Sequence, residues 1–250
     1  MKLLILGYGL TSYAFFLVTS LYSIGFTANY LVPKGIDSGE VIPMQTAALI
    51  NMGLLGLFAI PHTLMARPAF KEMINKVIPE SAERSTYVLV GSALLANVFY
   101  SWKSMPGVLW DLRGGHAEMI ILSVFALGWV VVLISTFMIG HLELFGLTQV
   151  FRNFTGTPMQ QAPFGTPGLY RIVRHPIMTG FIIAFWATPQ MTYGHLLLAV
   201  VTTAYVFVAV PIFEERDLIA VFGKQYEEYR SATPTFFPVL RWPGSRNSER

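Results

Sequence analysis

The sequence predicts an all-α protein. It reads as a polytopic membrane helical bundle of about five to six segments, including a C-terminal helical hairpin, followed by a cytoplasmic C-terminal helix. Three observations lead there. Hydrophobic residues make up 54% of the 250 residues and charged residues only 12%, whereas a soluble domain carries about 25% charged residues. The uncharged runs are long: residues 3–33, 41–66 apart from His62, 85–102, 119–140, and 176–213 apart from His195. Apolar runs of about 18 or more residues read as membrane helices. The basic residues, finally, gather in alternate loops, the pattern of a chain with its positive loops inside.

The first segment covers residues 3–31. It is too long for a cleavable signal, whose apolar region is about 7–15 residues, so it is expected to remain as a span. Pro33, Gly35 and Gly39 turn the chain after it. The second segment covers 42–65, with Pro61 and His62 near its end. The proline removes a backbone donor there, and His62 either lines a polar interior or sits at the headgroup level. Residues 67–84 hold Arg67, Lys71, Lys76 and Arg84. This is the most basic short loop and is expected on the cytoplasmic side. Within it Phe70, Met73, Ile74, Val77 and Ile78 recur at helical steps, which predicts a short amphipathic helix on the membrane surface. The third segment covers 85–102. Trp102 and Trp110 fit an interfacial aromatic belt. The base-poor loop 103–118 is expected outside, and the fourth segment covers 119–140.

Residues 141–174, with Arg152, Arg171 and Arg174, return to the cytoplasm. As one helix, the run 176–213 would be about 57 Å long, against a hydrocarbon core of about 30 Å. The turn-like stretch 188–195 divides it into a helical hairpin with arms 177–187 and 196–213. The first arm is short for a full crossing. Loop alternation then puts both termini in the cytoplasm, with six passes. Residues 214–230 form an amphipathic helix on which Glu215, Ile219, Phe222, Tyr226 and Tyr229 fall within about 40° of one line. A carboxylate therefore lies on an aromatic face, either functional or reaching up to water. Past Pro243 the chain is expected to fray. There is no internal repeat and no second domain.

Several chemistries are excluded or weak. Cysteine is absent, so there is no disulfide, thiolate metal site or cysteine nucleophile. The five histidines are scattered without the helical i, i+4 spacing of a metal site, so no metal is expected. His141 and Glu143 do not share a helix face. There is no Gly-x-Ser-x-Gly and no Walker loop. The net charge of +3 reflects topology rather than nucleic-acid binding. What remains is a dense group from Gly168 to Gly180, holding Tyr170, Arg171, Arg174, His175 and Pro176. On the same side lie His141, Glu143, Gln149, Glu214, Glu215, Tyr226 and Tyr229. Arginine pairs a carboxylate, glutamate accepts from amines or ribose hydroxyls, and aromatic rings attract a sulfonium. S-adenosylmethionine carries all these partner groups. Arginine clusters also suit a lipid headgroup.

Two motif blocks carry a resemblance. One is Gly168-Leu169-Tyr170, Arg174-His175-Pro176 and Gly180; the other is Glu214-Glu215, Phe222-Gly223, Tyr226 and Tyr229. Together they resemble the signature of the integral-membrane methyltransferases of the isoprenylcysteine carboxyl methyltransferase and phospholipid methyltransferase superfamily. Residues 61–70, 83–89 and 141–149 resemble bacterial methanethiol S-methyltransferases, and in part the NnrU-like proteins. The resemblance implies methylation of methanethiol to dimethyl sulfide with S-adenosylmethionine, in a bacterial inner membrane, with a small thiol and membrane lipid as partners. It implies one membrane methyltransferase domain over 1–250: four spans in 1–140, a cofactor-binding part in 141–230 with hairpin 177–213, and a tail, 231–250.

Carried over by position, the cofactor pocket falls on Gln149, Ala162, Pro163, Phe164, Gly165, Tyr170, His175, Pro176, Ile177 and Met178. Arg171, Arg174, Gly180, Tyr226 and Tyr229 join them from the motif blocks. Met178 stands where many relatives have tyrosine. The superfamily pattern favours Glu214 as the cofactor-facing carboxylate, while the helix face favours Glu215; a kink where the span becomes the tail would reconcile them. His141, at the end of the fourth segment, is the first candidate for a base, with Glu143 and His62 behind it. Two other readings stay open: a methyltransferase for a prenylcysteine or lipid acceptor, and a non-enzymatic NnrU-like membrane protein.

Overall fold

Among the residues described by the computed structural model, 1–159 and 163–238, four helical stretches are long and apolar enough to cross a membrane. They are Lys2–Ala28 (α1), Met44–Met65 (α2), His116–Met138 (α5) and the run Tyr193–Phe222. Between them lie α3 (Pro68–Ile74), α4 (Glu80–Ser101), α6 (His141–Leu144), α7 (Leu147–Thr155) and α8 (Pro176–Trp186). The last long run is α9 (Tyr193–Ala209), a π turn at Val210–Glu214 and α10 (Glu215–Phe222), followed by α11 (Lys224–Ala232).

The packing inverts that of a soluble bundle. Leu3, Leu4 and Leu21 on α1 are exposed, whereas Gly9, Ser12, Thr19, Ser23 and Thr27 are buried. Small and hydroxyl residues let helices approach closely where lipid removes the hydrophobic drive between them. Their hydroxyls bond within the helix, as Ser12 does to the Tyr8 carbonyl at 2.8 Å. The same rule explains α4, which packs against α1 and α2. It turns Ser81, Ser85, Gly91 and Ser92 inward, and so is less apolar than its neighbours. It also begins at Glu80, earlier than expected, because Pro79 precedes it and Glu80 and Glu83 occupy its first turn, where carboxylates favour the helix dipole.

The closest crossing joins α5 and α8. A Cβ on Gly180 would lie 2.7 Å from the Gly128 carbonyl oxygen, and one on Gly128 would lie 2.8 Å from that of Gly180. Gly180, expected at the cofactor, is therefore a packing residue between two backbones.

The end of the bundle away from Gly168–Gly180 is stitched by polar contacts. Asp37 accepts from Asn29 Nδ2 at 2.6 Å and from the Thr192 hydroxyl, while its carbonyl accepts from Ser104 at 2.8 Å. Lys34 donates to the Tyr100 and Trp102 carbonyls. Here β1 (Val108–Asp111) and β2 (Gln190–Thr192) pair antiparallel. The turn expected at 188–195 thus contains a short strand, because two loops meet there and satisfy each other's backbone groups. The helical hairpin is present, and its first arm has eleven residues. At about 1.5 Å per helical residue and about 3.3 Å per extended one, α8 and the segment after it together reach this end.

Other expectations are corrected. Trp102 is no interfacial anchor; it is fully buried with Phe26, Val98 and Phe99. The surface helix stops at Ile74, and Val77 is exposed. The helix expected over 214–230 breaks at Gly223, whose φ of 55° suits glycine. The tail does not leave the body after residue 231: Phe236 is buried and its carbonyl accepts from Thr179 at 2.6 Å. The stretch beyond Pro243 lies outside the described residues.

Replacing Gly180 with alanine forces a methyl against the Gly128 carbonyl. A loss of about 1–3 kcal/mol is expected, as in other overpacked sites. Thermal unfolding in detergent measures it, and an unchanged midpoint would contradict the close crossing.

Candidate active site

The site begins with Arg174-His175-Pro176. Proline at the first helical position starts α8 with its fixed φ and needs no donor there. The residue before a proline is pushed out of helical conformation, and His175 has φ −128° and ψ 64°. The chain bends here. The Arg174 and His175 N–H groups donate to the Pro234 and Thr235 carbonyls at 2.8 and 3.0 Å, docking the tail beside the hairpin.

Below them the long helix widens. Pro211 has no N–H to close an α-helical bond, and the Glu215 N–H reaches five residues back to the Val210 carbonyl. In an uninterrupted helix Tyr205 and Glu214, nine residues apart, would lie about half a turn out of phase. One π turn removes about 100° of that rotation and brings them toward one side. It is the kink that separates the two glutamates.

Glu215 turns inward, with its side chain 2% exposed. Its Oε1 accepts from Arg174 Nε and Nη2, both at 2.7 Å, and lies 3.2 Å from His175 Nε2. Its Oε2 lies 3.3 Å from Arg230 Nε. Glu214 remains 44% exposed, with Oε1 3.4 Å from His175 Nδ1. His175 therefore sits between two carboxylates. Burial alone pulls its pKa down, but the hydrogen bonds and charges of Glu214 and Glu215 outweigh it and raise the value to about 9. The ring is an imidazolium at neutral pH.

Arg174 is expected to present its guanidinium to a ligand. In the structure its five donors are engaged by the protein: Glu215 twice, the Thr235 hydroxyl, and the Arg230 and Thr233 carbonyls. Its role is to hold Glu215 and the tail. Arg171 is exposed and donates to the Thr166 carbonyl at 3.2 Å.

Aromatic residues close one side. Phe164 packs its ring against Phe222, Tyr226 and Tyr229 at 5.2 to 6.1 Å. The Tyr229 hydroxyl donates to the Tyr170 carbonyl at 2.5 Å. Burial raises the pKa of Tyr170, Tyr226 and Tyr229, with nearby carboxylates adding to it, so the phenols stay neutral. The Tyr226 hydroxyl is buried with no hydrogen-bond partner among the described residues. Pro176 is buried, and Ile177 and Met178 are half-buried on α8. Met178 packs against a cluster of Ile182, Val206, Val210 and Phe236. Pro163 and Gly165 are exposed, and Ala162 lies outside the described residues.

The other side of Glu214 was not anticipated. Its charge is felt by Tyr205, Tyr87 and His62 as well as Tyr170, which lie on α9, α4, α2 and the segment before α8. Tyr205 is 2.6 Å from the Thr63 hydroxyl, and Tyr87 is 2.8 Å from His62 Nε2. Arg84 lies 4.9 Å over the Tyr87 ring, and Arg67 pairs with Asp217 at 2.7 Å. Both arginines are visible in the sequence as loop charges. Tyr205 is hidden in an uncharged run and carries no such signal.

His141, Glu143 and Gln149 form a separate group. The Thr136 hydroxyl donates to the Leu133 carbonyl, so it accepts from His141 Nδ1 at 2.8 Å; His141 Nε2 then accepts from the Tyr13 hydroxyl, also at 2.8 Å. Both ring nitrogens are engaged, and Phe137 stacks on the ring at 4.4 Å. Burial lowers the His141 pKa, which suits a neutral structural histidine. Both nitrogens are paired within the protein in this arrangement. The Gln149 amide donates to the Glu143 carbonyl at 3.1 Å. Of the three base candidates, His62 alone keeps a ring nitrogen, Nδ1, without a partner among the described residues.

Long apolar helices around a buried ion pair and a ring of tyrosines define the class: an integral-membrane protein with a candidate small-molecule site at one end of its bundle. The family model described as NnrU protein matches residues 50–236. Methanethiol S-methyltransferase 2 of Bradyrhizobium diazoefficiens is 49% identical over 239 residues, covering 96% of this chain and 92% of that protein. Methanethiol S-methyltransferase of Mycobacterium tuberculosis is 47% identical over 236 residues, covering 94% and 95%. Nurim of Bos taurus is 27% identical over 181 residues, covering 69% and 67%. No solved structure matches. The chain belongs to the NnrU family and, within it, to the methanethiol S-methyltransferases.

Two outcomes follow from the ion pairs. Arg174→Met leaves Glu215 buried without its main partner and is expected to cost about 3–5 kcal/mol, read as a lower unfolding midpoint. The His175 pKa lies above its ordinary 6.5, near 9. Its stabilisation is complete below the lower value and is lost as pH rises through the higher one. The midpoint is expected to fall across that window, more steeply than in His175→Gln. Identical pH profiles would count against the charged ring.

Proposed function

We propose that the protein is an S-adenosylmethionine-dependent thiol methyltransferase that converts methanethiol to dimethyl sulfide in a chamber within the membrane. One observation carries the reading: Glu214, set apart from the closed Glu215 pair by the π turn, keeps a half-exposed carboxylate beside His175 in a chain of this family. S-adenosylmethionine would supply a methyl group already activated on a sulfonium, so the protein has mainly to position and desolvate.

The residues fit that cofactor. The half-exposed Glu214 carboxylate suits its amine or ribose hydroxyls. The orphaned Tyr226 hydroxyl suits one further polar atom. Phe164, with Phe222 beside it, offers faces for the adenine, and Pro176, Ile177 and Met178 form the α8 wall. Arg174, Glu215 and His175 hold this wall in place. In that transfer the S–H proton of methanethiol would leave to solvent and the opposite charges of thiolate and sulfonium would cancel, a change that a dry site favours over the separated ions. The finer membrane arrangement belongs to the same reading: α4 and α8, the first arm of the hairpin, cross with the four long helices, making six passes with both termini cytoplasmic. The basic loops support it, and it opens the site to the compartment that holds the cofactor.

Dimethyl sulfide in the headspace over purified protein, methanethiol and S-adenosylmethionine tests the function; absence of both product and cofactor binding would overturn it. Glu214→Gln is expected to weaken cofactor binding by about tenfold to a hundredfold, the worth of a hydrogen bond to a charged group. Its unfolding midpoint should stay near wild type. Calorimetry giving wild-type affinity would remove Glu214 from the pocket.

A further inference from the structure

A second cavity is lined in part by Tyr87, whose hydroxyl pairs with His62. It is a pocket of about 120 Å³ between the end of α2, α3 and α4. Met65, Phe70 and Ile74 line it from one side, and Thr86, Tyr87 and Val90 from the other, with Glu83 at its edge. The spacing is that of helix faces: Phe70 and Ile74 are four apart on α3, while Glu83, Thr86, Tyr87 and Val90 follow i, i+3, i+4, i+7 on α4. The apolar stripe of α3 therefore walls a pocket. Lys71 and Glu83, 3.9 Å apart, bridge α3 to α4 beside it.

Tyr87 links this pocket to His62. Its hydroxyl meets His62 Nε2 at 2.8 Å, and the charge of Glu214 acts on it. His62 Nδ1 is buried and has no partner among the described residues. A bare ring nitrogen is tolerated there more readily than an orphaned N–H, since unpaired buried donors are the rarer case. With the His62 proton on Nε2, that nitrogen donates to the Tyr87 oxygen and the Tyr87 proton remains to be given elsewhere. The neighbouring hydroxyl protons are engaged. Thr86 donates to the Ala82 carbonyl and accepts from Tyr8, while Thr63 donates to the Ala59 carbonyl and so accepts from Tyr205.

We propose that this pocket is the thiol subsite: it seats the methyl group of methanethiol among Met65, Phe70, Ile74 and Val90, with the sulfur against the Tyr87 hydroxyl. The inference rests on the methyltransferase reading. The occupant follows from size and chemistry. A pocket of about 120 Å³ holds a few heavy atoms and excludes a prenyl chain or a phospholipid. Its lining is apolar and offers one uncommitted donor, matching a ligand with one weakly accepting sulfur. The Arg84 guanidinium lies 4.9 Å over the Tyr87 ring and offsets the Glu83 carboxylate at the pocket's edge. Val90 and Thr86 lie on its α4 wall, where side-chain size changes the room left for the thiol.

Three variants test this with purified protein, with S-adenosylmethionine affinity measured by calorimetry in each. Val90→Ala enlarges the pocket; the ratio of kcat/KM for propanethiol to that for methanethiol is expected to rise about tenfold or more. Val90→Phe fills it, and Tyr87→Phe removes the donor; each is expected to raise KM for methanethiol about tenfold, with cofactor affinity unchanged. An unchanged chain-length preference in Val90→Ala, together with wild-type KM in Tyr87→Phe, overturns the subsite while leaving the methyltransferase reading intact. A wild-type protein that makes no dimethyl sulfide overturns both.

Discussion

The buried pair of Arg174 and Glu215 is the contact on which the site end of the molecule depends. It joins the entrance of the α8 hairpin to the start of α10, and through Arg230, Thr233 and Thr235 it holds the tail as well. Withdrawing two charges from water is costly, and attraction offsets that cost only where geometry and additional hydrogen bonds are good. Here every guanidinium donor has an acceptor, and both glutamate oxygens have cations. An apolar pair would leave the tail hydrogen-bonded here only through the backbone N–H groups of Arg174 and His175 and through Thr179. The ion pair sets register, a use for which buried charges are well suited.

Two adjacent glutamates do different work because the helix that carries them is not regular. The π turn at Pro211 leaves Glu215 facing Arg174 and Glu214 half-exposed beside His175. A regular helix would hold both at fixed steps and force one of them to compromise. The widened turn also interrupts a long apolar helix near the point where it meets charge. Such single-turn bulges recur at functional sites for this reason: they re-aim a side chain without ending the helix.

Much of the scaffold was legible in the sequence. Uncharged runs locate α1, α2 and α5 because lipid forbids charge over that length, and the helical hairpin follows from a run too long for one crossing. The Gly168–Gly180 block and the Glu214–Tyr229 block do converge. What stayed hidden depends on tertiary partners. Nothing local marks Gln190–Thr192 as a strand, since it is one only against Val108–Asp111. Trp102 reads as an interfacial anchor until Phe26 and Phe99 enclose it. His141 looks like a base until Tyr13 and Thr136, one of them far away in the chain, engage its two nitrogens. Arg174 looks like a ligand for an anion because its own anion lies forty-one residues on.

The stitched end of the bundle has a mechanical consequence. Asp37 ties together the loops after α1, α4 and β2, and the β1–β2 pair ties two more segments there. The two ends of the bundle are thus held by different means. At this end loops close on one another through backbone pairing and a shared carboxylate, whereas at the other the contacts run between charged side chains, Arg174 with Glu215 and Arg67 with Asp217. Ion pairs respond to pH and salt, so a change of medium would loosen one end of the molecule before the other.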